Sequence, residues 1–320
     1  MTDVLGWIWA VLSQALAPES LPQLAVTTVR LSVPYIMAAV GEIIIEKAGV
    51  VNIGIEGTML ISAFTGTLIT YFTGNPVLGL LAGVAVAIVL GALHGAISVY
   101  LKGDQIVAGV GVNAFAMGIT VVGLKLVWGG SQGQSAYTAS IQPISLGPGI
   151  NISPLFFVAL GAAFLAWWLL FRTTLGLRIR ACGEDPKAAE AMGVNVERMR
   201  FLVTTLAASL FGLAGAYLSL DWTNAFTKNM TNGRGFIALA NVAFSGWNPL
   251  LAIVGGLIFG FFEALALRLN AVLSVVMPLA SVQMTYIVQA IPYIAVIIVV
   301  AIFAKRARAP ASLARPYIKE

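Results

Sequence analysis

The chain has 320 residues, of which 59% are hydrophobic and 10% charged, against about 45–50% and 25% in ordinary soluble domains. With a mean hydropathy of +0.93, most of its outer surface must face lipid, which excludes a soluble globular protein. The net charge of +5 is concentrated, with six basic residues between Arg172 and Arg200 and five from Lys305 onward. Such clusters mark cytoplasmic loops and not a nucleic-acid surface.

Chain order begins with Val4–Leu16, which is short and rich in tryptophan. Ala15-Leu16-Ala17 resembles a signal-peptide cleavage site, but the segment before it holds Asp3 and no Lys or Arg, which favours a retained helix. Apolar stretches near the ~20 residues needed to cross a bilayer follow. They are Leu24–Ile45, Gly54–Phe72, Val77–Leu101, Gln105–Val127, Ile152–Phe171, Phe201–Leu220, Leu250–Leu269 and Met284–Ala304, with the shorter, small-residue-rich Gly235–Trp247 lying between Phe201–Leu220 and Leu250–Leu269. Placing both basic clusters in the cytoplasm requires an even number of crossings between them, so Gly235–Trp247 is needed as a crossing. The uncharged stretch Gly129–Asn151 then lies outside. Counting Val4–Leu16, this predicts an all-α polytopic membrane protein of about ten helices, with both termini cytoplasmic.

An internal repeat fits that count. Asn75-Pro76-Val77-Leu78 matches Asn248-Pro249-Leu250-Leu251 at an offset of 173, and Val26-Thr27-Thr28 matches Val203-Thr204-Thr205 at nearly the same offset. Copies five crossings apart are inverted in the membrane, the arrangement from which many transporters build an alternating-access path. The expected organisation is one permease domain over 1–320. A first repeat occupies 1–171, a cytoplasmic loop 172–200, the rest of the second repeat 201–304, and a cytoplasmic tail 305–320.

Several chemistries are absent. No Gly-Lys dipeptide occurs, so the phosphate-cradling loop of nucleotide-binding proteins is missing. A single cysteine, Cys182, and a single histidine, His94, exclude an internal disulfide and a Cys- or His-rich metal site. No metal and no cofactor is expected in this chain.

Two stretches stand out. Within the basic loop, Asp185 can cap a helix that begins at Pro186, runs through alanines and closes at Gly193 in a left-handed conformation. Two turns are too short to be stable alone in water, so this helix should rest on the spans or on another protein. The second stretch, Gly41–Gly57, places Glu42, Glu46, Lys47 and Glu56 among glycines between two spans. Charges there either cap helix ends or face a watery path, and Asn229–Phe236 occupies the corresponding place in the second half. Asn52, Glu56, Asn113, Arg234 and Asn241 are the candidate path residues, although amides also bind helices together. His94, Asp221 and Glu263, in or at the ends of spans, fit packed, hydrogen-bonded roles better.

Glu46–Gly57, the loop Gly176–Gly193, and Gly233–Ala240 with Ser245-Gly246-Trp247-Asn248-Pro249 resemble the membrane subunits of ABC importers in the ribose and branched-chain amino acid permease superfamily. The nearest likeness is to the nucleoside and simple-sugar uptake subgroup, in particular to the shorter permease of a heteromeric pair. Three motifs in the right order carry it over nearly the whole chain. It departs at Ser245, where a glycine is more usual. The resemblance implies two inverted five-helix repeats of the vitamin B12-type importer fold. It implies as partners a second permease, an ABC ATPase that holds ATP and Mg, and an extracytoplasmic binding protein, with membrane lipid around the spans. It also implies that Gly183, Glu184, Asp185, Pro186, Lys187, Ala188, Ala189, Glu190, Ala191, Met192 and Gly193 form the coupling helix that docks on the ATPase. The function expected from this is the translocation path of an ATP-driven importer for nucleosides, working by alternating access, with simple-sugar uptake (ribose or galactose type) as the alternative and ion-coupled secondary transport as the alternative of another class.

Overall fold

The computed structural model describes residues 13–129, 133–147, 149–276, 281–303 and 308–318. Residues 4–12 of the expected first helix, and Ala304 through Ala307 at the start of the basic tail, lie outside them. Six helical stretches among the described residues are long and apolar enough to cross a membrane: Pro18–Lys47, Pro76–Tyr100, Gln105–Trp128, Pro154–Arg172, Val196–Trp222 and Pro249–Val275. The chain is a multi-pass membrane protein.

The post at the centre is α1 (Leu21–Lys47), whose Leu31–Ile43 stretch is buried on every side. Its neighbours are α5 (Pro154–Arg172), α9 (Ser209–Tyr217), α10 (Arg234–Phe244) and α11 (Pro249–Val276). In the apolar window of α1, 78% of residues are buried, against 28% in α3 (Pro76–Gly95), α4 (Gln105–Trp128) and α5. Those outer helices present Val89, Leu126 and Leu165 outward, as residues that meet acyl chains must.

Helix α2 (Ile55–Thr73) corresponds to the expected Gly54–Phe72 span but does not belong to the apolar six. Its hydroxyls explain how it is nevertheless buried. Thr58, Ser62, Thr67 and Thr70 each donate to a carbonyl four residues back, at 2.7–3.0 Å, so none of these four hydroxyl protons is left open in the core.

Other boundaries differ from expectation, and the expected Leu250–Leu269 span runs on to Val276. The Phe201–Leu220 span begins five residues earlier, at α8 (Val196–Ala207), because Asn195 caps it by accepting from Arg198 N at 2.9 Å. It runs on through α9 into a π turn, Leu218–Trp222. The Met284–Ala304 span is two helices, α12 (Ser281–Gln289) and α13 (Ile291–Phe303). Pro292 lacks an N–H and clashes with the preceding turn, which forces the break. Between α4 and α5 the chain also forms a short antiparallel hairpin, β1 (Ile144–Gly147) with β2 (Ile150–Ile152), a connection outside the helices of an all-α polytopic bundle. Residues 133–141 are stitched to 220–228 by Ser135 N to Phe226 O at 2.8 Å, Thr138 N to Asn224 O at 2.9 Å and Ile141 N to Leu220 O at 3.0 Å.

The repeated Asn-Pro motif is the same device twice. Asn75 Oδ1 accepts from Val77 N at 2.9 Å and Asn248 Oδ1 from Leu250 N at 3.0 Å, each with proline opening the helix.

Candidate functional site

Helices α2 and α10 begin inside the bundle and meet start to start. Each helix start carries unsatisfied N–H groups and a partial positive charge, and two such ends repel unless an anion lies between them. Glu56, in the first turn of α2, supplies it. One carboxylate oxygen accepts from Gly233 N and the other from Gly235 N, both at 2.7 Å. Gly235 has to be glycine for this approach, since a Cβ there would lie 2.7 Å from Glu56 N.

The irregular segment that leads into α2 is held from four directions. Asn52 N donates to Glu42 Oε1 at 2.7 Å, and Asn52 Oδ1 accepts from Gly54 N at 2.9 Å. Asn113 of α4 accepts from Gly57 N at 2.7 Å and donates to Ile53 O at 3.0 Å. Gln105 Oε1 accepts from Val51 N at 2.8 Å, while His94 Nε2 lies 2.9 Å from Val51 O. Non-helical backbone at membrane depth survives only when protein satisfies it in this way. Glu46, the last residue but one of α1, accepts from the Trp247 indole at 2.5 Å.

Four of the five candidate path residues therefore share one neighbourhood: Asn52, Glu56 and Asn113 around the start of α2, and Arg234 at the start of α10. Asn241 is two turns further along α10, where its amide donates to Ala252 O of α11 at 2.9 Å and joins those helices. Asp221 and His94 are packed, hydrogen-bonded residues, as their positions suggested. Asp221 accepts from Ser153 Oγ at 2.6 Å and pairs with Arg30 at 3.5 Å. Glu263 does more than pack. It forms an ion pair with Arg234 and accepts from the Tyr35 hydroxyl at 2.6 Å, at the wall of a cavity of about 160 Å³. A lone glutamate in an apolar helix was the one signal for it in the sequence.

At the end of the bundle where α1 finishes, the basic loop folds into α6 (Thr174–Glu184) and α7 (Pro186–Ala191). Asp185 caps α7 by accepting from Ala188 N at 3.0 Å, and Gly193 follows at φ +83°. Gly183 and Glu184 belong to α6, because the extended backbone of Asp185 separates the two helices. Gly183 sits hard against the end of α1, where a Cβ would lie 2.3 Å from Lys47 O.

The residues from Arg308 to Ile318 form a strap over this loop, a contact that no local feature of the chain announces. Ser312 N donates to Gly183 O at 2.9 Å, Ala311 N to the Glu184 carboxylate at 3.2 Å, and the Tyr317 hydroxyl to Glu190. Arg200, buried to 2% exposure, donates to Cys182 O at 2.8 Å and to Arg315 O at 3.0 Å. Cys182, Ala189, Val196 and Tyr317 close a small apolar cluster beneath, and burial pushes the Cys182 thiol up. On the outer side of α7, Lys187, Ala188 and Ala191 are exposed, and Met192 just beyond it is 84% exposed. Among the described residues no three His, Cys, Asp or Glu side chains converge on a metal site.

A long-helix membrane bundle with internally started helices and a capped loop helix at one end is the build of a transport permease. Residues 24–301 match the family described as branched-chain amino acid transport system / permease component, and the chain belongs to it. It is an ABC importer permease subunit and is not itself catalytic. It is 36% identical over 309 residues to the guanosine ABC transporter permease protein of Bacillus subtilis, covering 89% of this chain and 93% of that one. It is 32% identical over 307 residues to the nucleoside ABC transporter permease protein of Lactococcus lactis, covering 90% and 94%. A putative glucose ABC transporter permease protein of Haloferax volcanii is 37% identical over 255 residues, 75% of this chain and 76% of that one. No solved structure matches the chain.

Proposed function

We propose that the chain forms, with a second permease, the membrane path of an ATP-driven importer for nucleosides. The observation that carries this reading is likeness along almost the full length to two permeases named for guanosine and nucleoside transport. The putative glucose permease favours the second reading, uptake of a simple sugar. Ion-coupled secondary transport is the reading of another class. In the proposed assembly ten spans form two inverted repeats of the vitamin B12-type fold, with both termini and the Arg172–Arg200 loop in the cytoplasm. The repeated Asn-Pro caps and the inward starts of α2 and α10 support that arrangement.

ATP and Mg belong to a partner ATPase, and an extracytoplasmic binding protein delivers the solute. Residues Gly183–Gly193, centred on α7, are the coupling segment. When ATP draws the ATPase pair together, the coupling segments of the two permeases approach one another and the path changes the side to which it opens. Asn52, Glu56, Asn113 and Arg234 border that path, with Asn241 setting the α10–α11 contact behind it. The reading is tested by uptake of labelled uridine and ribose into proteoliposomes that hold the full importer and internal ATP. ATP-dependent uridine uptake that survives collapse of the ion gradients is the expected result. Uptake that follows an ion gradient without ATP would overturn it.

A further inference from the structure

The cavity beside the α2–α10 junction has features that helix packing does not require. It is lined by Tyr35, Arg234, Glu263, Asn270, Gln289 and Tyr293, contributed by α1, α10, α11, α12 and α13. Here Asn270 Oδ1 and Arg234 Nε are buried without a hydrogen-bond partner, and the Gln289 side chain is exposed.

We infer that this cavity is a solute-contact site for one uncharged ring bearing hydroxyl or amide groups, a pentose or a nucleobase. The inference rests on the proposed function and adds to it a place and a selection rule. Charge balance supplies the rule. Arg234 and Glu263 neutralise each other, and Tyr35 occupies the second oxygen of Glu263. An anion or a cation entering the cavity would have to break that pair and leave a charge uncompensated at membrane depth, which costs several kcal/mol. A neutral solute meets amides that both donate and accept, and phenol oxygens that can accept, their protons being held by Glu263 and Asn232 O.

Size agrees with a single ring. Each water takes about 30 Å³ in the liquid, so a cavity of about 160 Å³ has room for roughly five waters, near the bulk of a pentose or a base. Pockets for drug-sized ligands are larger, about 300–1,000 Å³. Tyr293, 40% exposed and anchored by its hydroxyl to Asn232 O at 2.7 Å, supplies a flat wall against which a ring can stack. Arg234 opens α10, so occupancy of the cavity acts directly on the helix start that Glu56 holds.

The test places a thiol in the cavity of the assembled importer, as Asn270→Cys or, where that variant does not fold, Gln289→Cys. Modification by the small neutral reagent methyl methanethiosulfonate is followed by mass spectrometry with uridine, ribose or zwitterionic leucine present, and no ATP is needed. Native Cys182 is buried and reports background. Uridine or ribose at a few times its dissociation constant is expected to slow modification about threefold or more, while leucine does not. Protection by ribose places the sugar in the cavity, and protection by uridine alone places the base there. No protection by either, or equal protection by leucine, would overturn the inference. A wild-type importer without ATP-driven uptake would instead overturn the function proposed above while leaving protection measurable.

Discussion

Glu56 is the residue on which the interior geometry turns, and its replacement gives a graded prediction. Its carboxylate accepts two backbone N–H groups at 2.7 Å, from Gly233 and Gly235, in a position only 8% exposed. A hydrogen bond to a charged group contributes about 1.5–3 kcal/mol, and an anion at a helix start about 0.3–2 kcal/mol. Glu56→Gln keeps one acceptor but turns an NH₂ toward the other N–H and removes the charge, a loss of about 2–5 kcal/mol. Glu56→Ala strands both N–H groups and is expected to cost about 3–6 kcal/mol. Glu56→Asp keeps the charge but is one methylene shorter, cannot span both amides, and should fall between Gln and wild type. With about 2–4 °C lost per kcal/mol in chains of 150–250 residues, Glu56→Ala should melt about 5 °C or more below wild type in detergent. Thermal unfolding of the purified permease with its partners, followed by tryptophan fluorescence, measures this. Glu56→Ala melting within about 1 °C of wild type would refute the account of two helix starts held by one carboxylate.

Two further predictions concern the loop end. Tyr317 covers the cluster that holds the chain's single cysteine, so maleimide labelling of Cys182 should be slow in the native protein and about tenfold or more faster in Tyr317→Ala, which favours local opening; unchanged labelling by mass spectrometry would show that the strap does not shield the thiol. Met192, 84% exposed beyond α7, should tolerate Met192→Asp without loss of folding, yet solute-stimulated ATP turnover in the reconstituted importer should fall to the basal rate. Normal stimulation in that variant would remove Met192 from the coupling contact.

Local chemistry was legible along the chain because it acts over a few residues. Asp185-Pro186 is a helix start in sequence and in structure, the repeated Asn75-Pro76 proves to be one in the structure, and Gly193 takes the left-handed conformation that its place after α7 suggested. The polar stretch Asn52–Glu56 was marked as unusual by its charges and glycines. That its acid reaches Gly233 and Gly235 was not, since the partners are 177 and 179 residues away and nothing local pairs them. Glu263 gave even less warning. Its value lies in Tyr35, 228 residues earlier, and in Arg234.

Composition alone determined the solvent. With 59% hydrophobic and 10% charged residues, the chain has too little polar surface to face water, and the length of its apolar runs places the spans. Only the tertiary structure decided what the scarce charges do. At membrane depth each charged or polar group must find a partner within the protein, and a bundle in which α1 touches helices from both halves of the chain brings those partners from far along the sequence. The same packing laid the residues after Arg308 over the basic loop, joining the C-terminal segment to the helix that the sequence had singled out.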